Sequence, residues 1–317
     1  KTRTVRMMDE TFSAVGVGCW AIGGDWNNTT DQSSIEAGRR AIDLGINFFD
    51  VAPVYGFGHA EEVLGKALKG RRQKVLIASK CGLVWDAQRN ITNDLTAKNV
   101  RREIENSLRR LNTDHIDIYQ LHWPDPNTPI EETIEALNAI KEAGKIRYIG
   151  VSNFSIELMK QAMAVGTIVS HQGLYNMLER NPQSYHTIPL IYRTQEEILP
   201  FCQEHGLAFF PYSPLFQGLL AGKFKASGNF DDSDMRASNP NLKGERFQFY
   251  FEIVEKLKDF AQEIGKPLSQ IIEELRLKGD QPVGIGISGG RLRIAFMHPD
   301  MVRFFGPAWQ MPIGAAD

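Results

Sequence analysis

Four side chains with chemical use stand at or just beyond the ends of short apolar runs: Asp50, Tyr55, Lys80 and His122. The run Ile46-Asn47-Phe48-Phe49 closes on Asp50, and Tyr55 follows between Pro53 and Gly56. Val75-Leu76-Ile77-Ala78 closes on Ser79-Lys80, and Ile116-Asp117-Ile118-Tyr119 runs on to Leu121-His122. A phenol ordinarily titrates near pH 10, too high for an efficient proton donor at neutral pH. A neighbouring ammonium favours phenolate and lowers that value, and a carboxylate keeps the ammonium charged and in place. A neutral imidazole beside them can orient a carbonyl oxygen or relay the proton. The set reads as a general acid aimed at a carbonyl that receives hydride from its other side. Singly, each residue has an ordinary reading: helix cap, packing tyrosine, surface lysine, core histidine. Their coincidence at three consecutive strand ends favours the chemical one.

The elements that must position them follow from periodicity. Short apolar strands (14–18, 46–50, 75–78, 116–119, 146–151, 168–170, 207–210) alternate with amphipathic helices of 10 to 15 residues. Asp31 and Thr96 are candidate helix caps, and Gly45, Gly70, Gly144 and Gly206 are stop signals. Such alternation specifies a parallel sheet. Seven or eight units predict an α/β fold, a (β/α)8 TIM barrel with eight parallel strands and long loops at its C-terminal face. The whole chain, 1–317, reads as a single barrel domain. Active sites of such barrels lie at the carboxyl ends of the strands. Further strand ends present Ser152 and Asn153, then Gln172, then Tyr212 and Ser213.

Composition narrows the classes. Lys+Arg total 36 against 38 Asp+Glu, so no global basic field calls for nucleic acid or an acidic membrane. No apolar run reaches the length of a membrane span, and the first residues lack a signal-peptide core. Cys19, Cys81 and Cys202 are odd in number and widely spaced, which fits a reducing cytoplasm and argues against a disulfide framework or zinc site. The oligomeric state is open, with a monomer acceptable.

Longer stretches carry a resemblance. Residues 45–50 with Tyr55-Gly56, Ile77-Ala78-Ser79-Lys80, Leu108-Arg109-Arg110-Leu111, residues 117–122, residues 144–154 and Pro211-Tyr212-Ser213-Pro214-Leu215 with residues 218–223 together resemble the aldo-keto reductases. The likeness is greatest to a bacterial branch that includes inositol-operon-associated and general-stress reductases. It runs from about residue 10 to residue 271. The resemblance implies a metal-free carbonyl reductase using NADPH/NADP+, with NADH as the alternative, and a small carbonyl or alcohol as substrate. It implies Tyr55 as proton donor, Lys80 and Asp50 as its tuning pair, and His122 as the group that orients the carbonyl. Ser152, Asn153 and Gln172 would hold the nicotinamide carboxamide, and Tyr212 would stack on the nicotinamide ring. Ser213, Leu215, Gly218 and Lys223 would cover the pyrophosphate, with Arg236 reaching the cofactor from the following loop. Trp20, Trp85 and Trp123 would border the substrate pocket.

Past Ile271 the sequence leaves the family pattern, so segment 272–317 is atypical: either divergent or frame-shifted between residues 272 and 288. Ile285-Gly286-Ile287 is a candidate closing strand, and Arg291 and Arg293 are candidates for a 2′-phosphate. The expected function is reversible NADPH-dependent reduction of small aldehydes or ketones, sugar-like or polyol-derived. The alternative is a nicotinamide-nucleotide-binding regulatory protein with weak turnover.

Overall fold

The computed structural model describes residues 2–24, 30–228, 230, 234–277, 285–288 and 291–294. Its central element is a sheet of seven parallel strands. These are β1 (Val17–Gly18), β2 (Phe48–Asp50), β3 (Leu76–Cys81), β4 (Ile116–Leu121), β5 (Ile146–Ser152), β6 (Ile168–Leu174) and β7 (Ala208–Tyr212). Their order in space is their order in the chain. Helices α1 (Asp31–Asp43), α2 (His59–Leu68), α3 (Ala97–Leu111), α4 (Ile130–Glu142), α5 (Ile156–Val165) and α6 (Leu199–His205) make the crossovers. This is the alternation expected from the periodicity. Two details differ. The cap of α1 is Thr30, one residue earlier than expected, because its hydroxyl accepts from Ser33 N while the Ser33 hydroxyl accepts from Thr30 N. Ile285–Ser288 pairs antiparallel with Arg291–Ile294 in a two-stranded sheet of its own, so among the described residues it does not add an eighth parallel strand. The side chains of Arg291 and Arg293 lie outside the described set.

Alternation along each strand divides its side chains between two faces. Phe49, Ile77, Tyr119, Ile149 and Val151 join the layer of helices, with Val100, Ile104, Ile134 and Leu137. Phe48, Leu76, Ala78, Ile118, Val169 and Ala208 form the opposite cluster. An antiparallel hairpin, Thr2–Val5 with Met8–Ser13, adds Met8 and Phe12 to it. Each such buried side chain contributes roughly 1.5–3 kcal/mol. The sheet is curled: the rings of Phe48 on β2 and Phe210 on β7 stack with centroids 4.8 Å apart. Strands separated by four others would lie about 24 Å apart in a flat sheet.

The chain forms two compact units. The first contains 1–174, 181–212 and 231–238, and therefore the sheet. The second contains 175–180 and the described residues of 213–230 and from 239 onward. Its core joins Phe216, Leu219 and Leu220 to α7 (Gly244–Ile264) through Phe247, Val254 and Leu257, and to α8 (Leu268–Leu277) through Leu268 and Ile271.

Candidate active site

Toward the carboxyl ends of the strands the inner face turns polar. Register sets Asp50 beside Ala78, Lys80 beside Gln120, Gln120 beside Gly150, and Ser152 beside Gln172. The same alternation that buries Phe48, Leu76 and Ile118 therefore points Asp50, Lys80, Gln120 and Gln172 inward. Gly150 is required here: a Cβ would run into Ser170 Oγ and stand 3.1 Å from Gln120 Cγ.

Lys80 is wholly buried, and its three ammonium hydrogens have three acceptors. Nζ lies 2.7 Å from Asp50 Oδ1, 3.1 Å from the Val51 carbonyl oxygen and 3.2 Å from Tyr55 Oη. Because Lys80 donates to the phenol oxygen, the Tyr55 hydrogen is left to point elsewhere. Gly56 sets the turn that aims the ring. It sits at φ +59°, and a side chain there would strike the Gly23 backbone. His122 meets the Tyr55 ring edge-on at 5.9 Å, and Trp20 lies 6.2 Å from it.

The electrostatics correct one expectation. Burial, then the charge of Asp50, raises the Tyr55 phenol well above its ordinary value. The lowering expected from Lys80 does not prevail, because desolvation of the phenol and the charge of Asp50 outweigh the ammonium. The phenol is thus held firmly in its acid form. His122 is pushed well below its usual value by burial and then by Lys80, so its imidazole is neutral, as expected.

The second oxygen of Asp50 accepts from Gln172 Nε2 at 2.9 Å and from Gln120 Nε2 at 3.3 Å. Asn153, at φ +63°, donates to the His122 carbonyl oxygen and Ser152 Oγ, both at 3.1 Å. Its Oδ1 accepts from Tyr192 at 2.9 Å and Tyr212 at 3.0 Å. The structure thus brings Asp50, Tyr55, Lys80 and His122 together, and joins Ser152, Asn153, Gln172 and Tyr212 around them. Trp20 belongs to this group. Trp85 instead packs on Phe57 at 5.6 Å, and Trp123 is half-buried directly after His122. Arg236 is clamped to Asp234, with Nε 2.9 Å from Oδ1. In the second unit Ser213, Phe216, Gln217 and Gly218 all have positive φ; Leu215 packs on that unit's core and Lys223 is exposed.

Sequence reasoning missed Gln120, Tyr192, and the pair Tyr185 and His186. Gln120 was visible as an inward position two residues before His122. Tyr185 comes from a short hairpin, Ser184–Tyr185 with Ile188–Pro189, which no alternation announced. It reaches the Tyr212 ring at 5.0 Å and Trp20 at 6.4 Å.

The residues present fit a nicotinamide amide. Ser152 keeps its hydroxyl hydrogen, and Gln172 Oε1 carries no hydrogen bond to the described residues. Both side chains are almost fully buried, and a hydroxyl hydrogen and an amide oxygen open to pairing there suit a polar guest. A curled parallel sheet bearing a phenol, an ammonium and a carboxylate in one hydrogen-bonded set can present a positioned proton donor to a polar guest. Comparison with known proteins agrees. The profile of the Aldo/keto reductase family matches residues 14–284, and the chain belongs to that family. Aldo-keto reductase YhdN of Bacillus subtilis is 42% identical over 253 residues, spanning 79% of this chain and 72% of that protein. The NADH-specific methylglyoxal reductase of Escherichia coli is 38% identical over 230 residues, 68% of this chain and 67% of that protein. The solved glycerol dehydrogenase of Gluconobacter oxydans superposes with a TM-score of 0.74 at 34% identity, covering 86% of this chain and 81% of its own. The protein is accordingly an NAD(P)H-dependent oxidoreductase.

Proposed function

We propose that this chain reduces small aldehydes or ketones, sugar-like or polyol-derived, with NADPH, and runs the reverse oxidation. The observation that carries the reading is Lys80 Nζ at 2.7 Å from Asp50 and 3.2 Å from Tyr55 Oη. The named activities of the relatives, on methylglyoxal and glycerol, favour a short polar substrate. We take residues 1–317 as one (β/α)8 barrel acting in the cytoplasm.

In this reading the substrate carbonyl oxygen sits against the Tyr55 hydroxyl, and neutral His122 orients it. The bound nicotinamide supplies hydride to the carbonyl carbon. As negative charge develops on the carbonyl oxygen, Tyr55 transfers its proton there and becomes phenolate. Lys80 stabilises that phenolate, and Asp50, held by Gln172 and Gln120, keeps Lys80 in place. Ser152, Asn153 and Gln172 would hold the carboxamide. Tyr212 fixes the ring face, and Ser213, Leu215, Gly218, Lys223 and Arg236 serve the phosphates. Trp20, Trp85 and Trp123 border the substrate.

The test is consumption of NADPH and of NADH with a panel of short aldehydes, comparing the parent with Tyr55→Phe. A positioned general acid contributes about 10²–10⁴-fold, and the variant should lose that much in kcat. Cofactor binding without turnover of any carbonyl would refute the reductase reading. Full activity in Tyr55→Phe would refute the assigned donor.

A further inference from the structure

Asn153 has no hydrogen-bonding capacity to spare. A carboxamide has two N–H donors and two acceptor lone pairs. Nδ2 uses its hydrogens on the His122 carbonyl oxygen and Ser152 Oγ. The carbonyl of His122 can only accept, which fixes which end of the amide is nitrogen. Oδ1 accepts from Tyr192 at 2.9 Å and from Tyr212 at 3.0 Å, and the two phenols are also hydrogen-bond partners of each other. Tyr212 ends β7. Tyr192 comes from the excursion after β6, is 3% exposed, and follows Ile191, which is 67% exposed. Two residues on, Thr194 Oγ1 donates to the Leu174 carbonyl oxygen at 2.8 Å and pins the segment. The Tyr192 ring also stands edge-on to His171 at 5.5 Å.

We infer that Tyr192 is a positioning residue for the nicotinamide site: by filling the second lone pair of Asn153 Oδ1, it fixes the amide that anchors the Tyr212 hydroxyl and hence the plane of that ring. Asn153 then acts as a junction tying together the ends of β4, β5 and β7. Without the Tyr192 hydroxyl, Oδ1 keeps one donor, the amide can swing, and the Tyr212 ring can rock. The inference rests on the nicotinamide reading above.

The experiment is calorimetric titration of the parent, Tyr192→Phe, Tyr212→Phe and the double variant with NADPH and with 2′-phospho-ADP-ribose, which lacks the nicotinamide. One lost neutral hydrogen bond corresponds to about a five- to tenfold change. Tyr192→Phe should weaken NADPH by about that factor and leave 2′-phospho-ADP-ribose unchanged. The double variant should be no weaker than the stronger single effect, because the two hydroxyls share one amide and also touch each other. Equal weakening of both ligands, or additive effects of the two substitutions, would reduce Tyr192 to a general structural role and overturn the inference. A parent that binds neither NADPH nor NADH in the same titration refutes the nicotinamide reading itself, and this inference with it.

Discussion

The amide of Gln172 on β6 donates to Asp50 on β2 across 2.9 Å, although the two residues are 122 apart in the chain. Three strands lie between theirs, so a flat sheet would separate them by about 19 Å. The hydrogen bond exists because the sheet curls. It makes the acid beside Lys80 depend on the far side of the sheet. Gln172→Leu removes the donor and leaves Asp50 Oδ2 with Gln120 alone. A hydrogen bond to a charged group is worth about 1.5–3 kcal/mol. The variant should therefore lose about 10- to 100-fold in kcat, measured by steady-state kinetics at saturating cofactor. Unchanged kcat would mean that Lys80 needs no help in holding Asp50.

The pH profile tests the protonation states. Reduction needs Tyr55 as phenol, and its titration is pushed upward by burial and Asp50. The acid form therefore persists through neutral pH, and kcat for reduction should stay flat from about pH 7 to about pH 10. Alcohol oxidation needs the phenolate and should climb throughout that range. His122 is shifted downward, so it is already neutral and should add no inflection near its ordinary value. A step in the reduction rate near pH 6.5 would contradict this assignment.

Glu103 offers a stability prediction away from the site. It is buried, accepts from Gly82 N and Asn99 Nδ2, both at 2.8 Å, and burial raises its titration from 4.5 to about 7. The folded state then binds the proton more tightly than the unfolded chain, so stability is greatest below 4.5 and falls as pH rises towards 7. The full penalty at alkaline pH is about 3 kcal/mol. Glu103→Gln keeps the acceptor without the charge. It should flatten urea-unfolding stability between those pH values and raise it at pH about 8. An unaltered pH slope would show that another group titrates there.

Gly56→Ala should disable the proton donor. Alanine at φ +59° is strained, and its methyl would collide with the Gly23 backbone rather than a yielding side chain. The left-handed backbone alone costs about 1–2 kcal/mol. The expected result is a lower Tm together with a kcat loss larger than any loss in cofactor affinity. A variant with parental kcat would show that the turn tolerates a shift without moving Tyr55.

The strands, helices and the Asp50, Tyr55, Lys80 and His122 group were legible because they obey short periods and sit where each period ends. Thr30 displaced Asp31 as the cap because two hydroxyls can satisfy each other, a pairing that residue types alone do not rank. The Tyr55 shift was misjudged because a charged neighbour is visible in sequence whereas the loss of water is not. Gln172–Asp50 and Tyr192–Asn153 were invisible because they depend on curvature and on an irregular excursion. Ile285-Gly286-Ile287 was a candidate closing strand, but a short apolar run does not specify a pairing partner, and among the described residues it pairs antiparallel with Arg291–Ile294.

Consecutive residues of β3 serve opposite sides of the sheet. Ser79 donates to Glu61 at 2.7 Å, and Glu61 in turn holds Arg110 from α3 at 2.7 Å, while Lys80 grips Asp50 on the inner face. A strand gripped on both flanks cannot roll about its own axis without tearing one grip. The helix layer therefore serves as a torsional brake on the ammonium, and a mutation at Arg110, whose side chain is only 15% exposed in that layer, should be felt as slack in the angle from which Lys80 approaches the phenol.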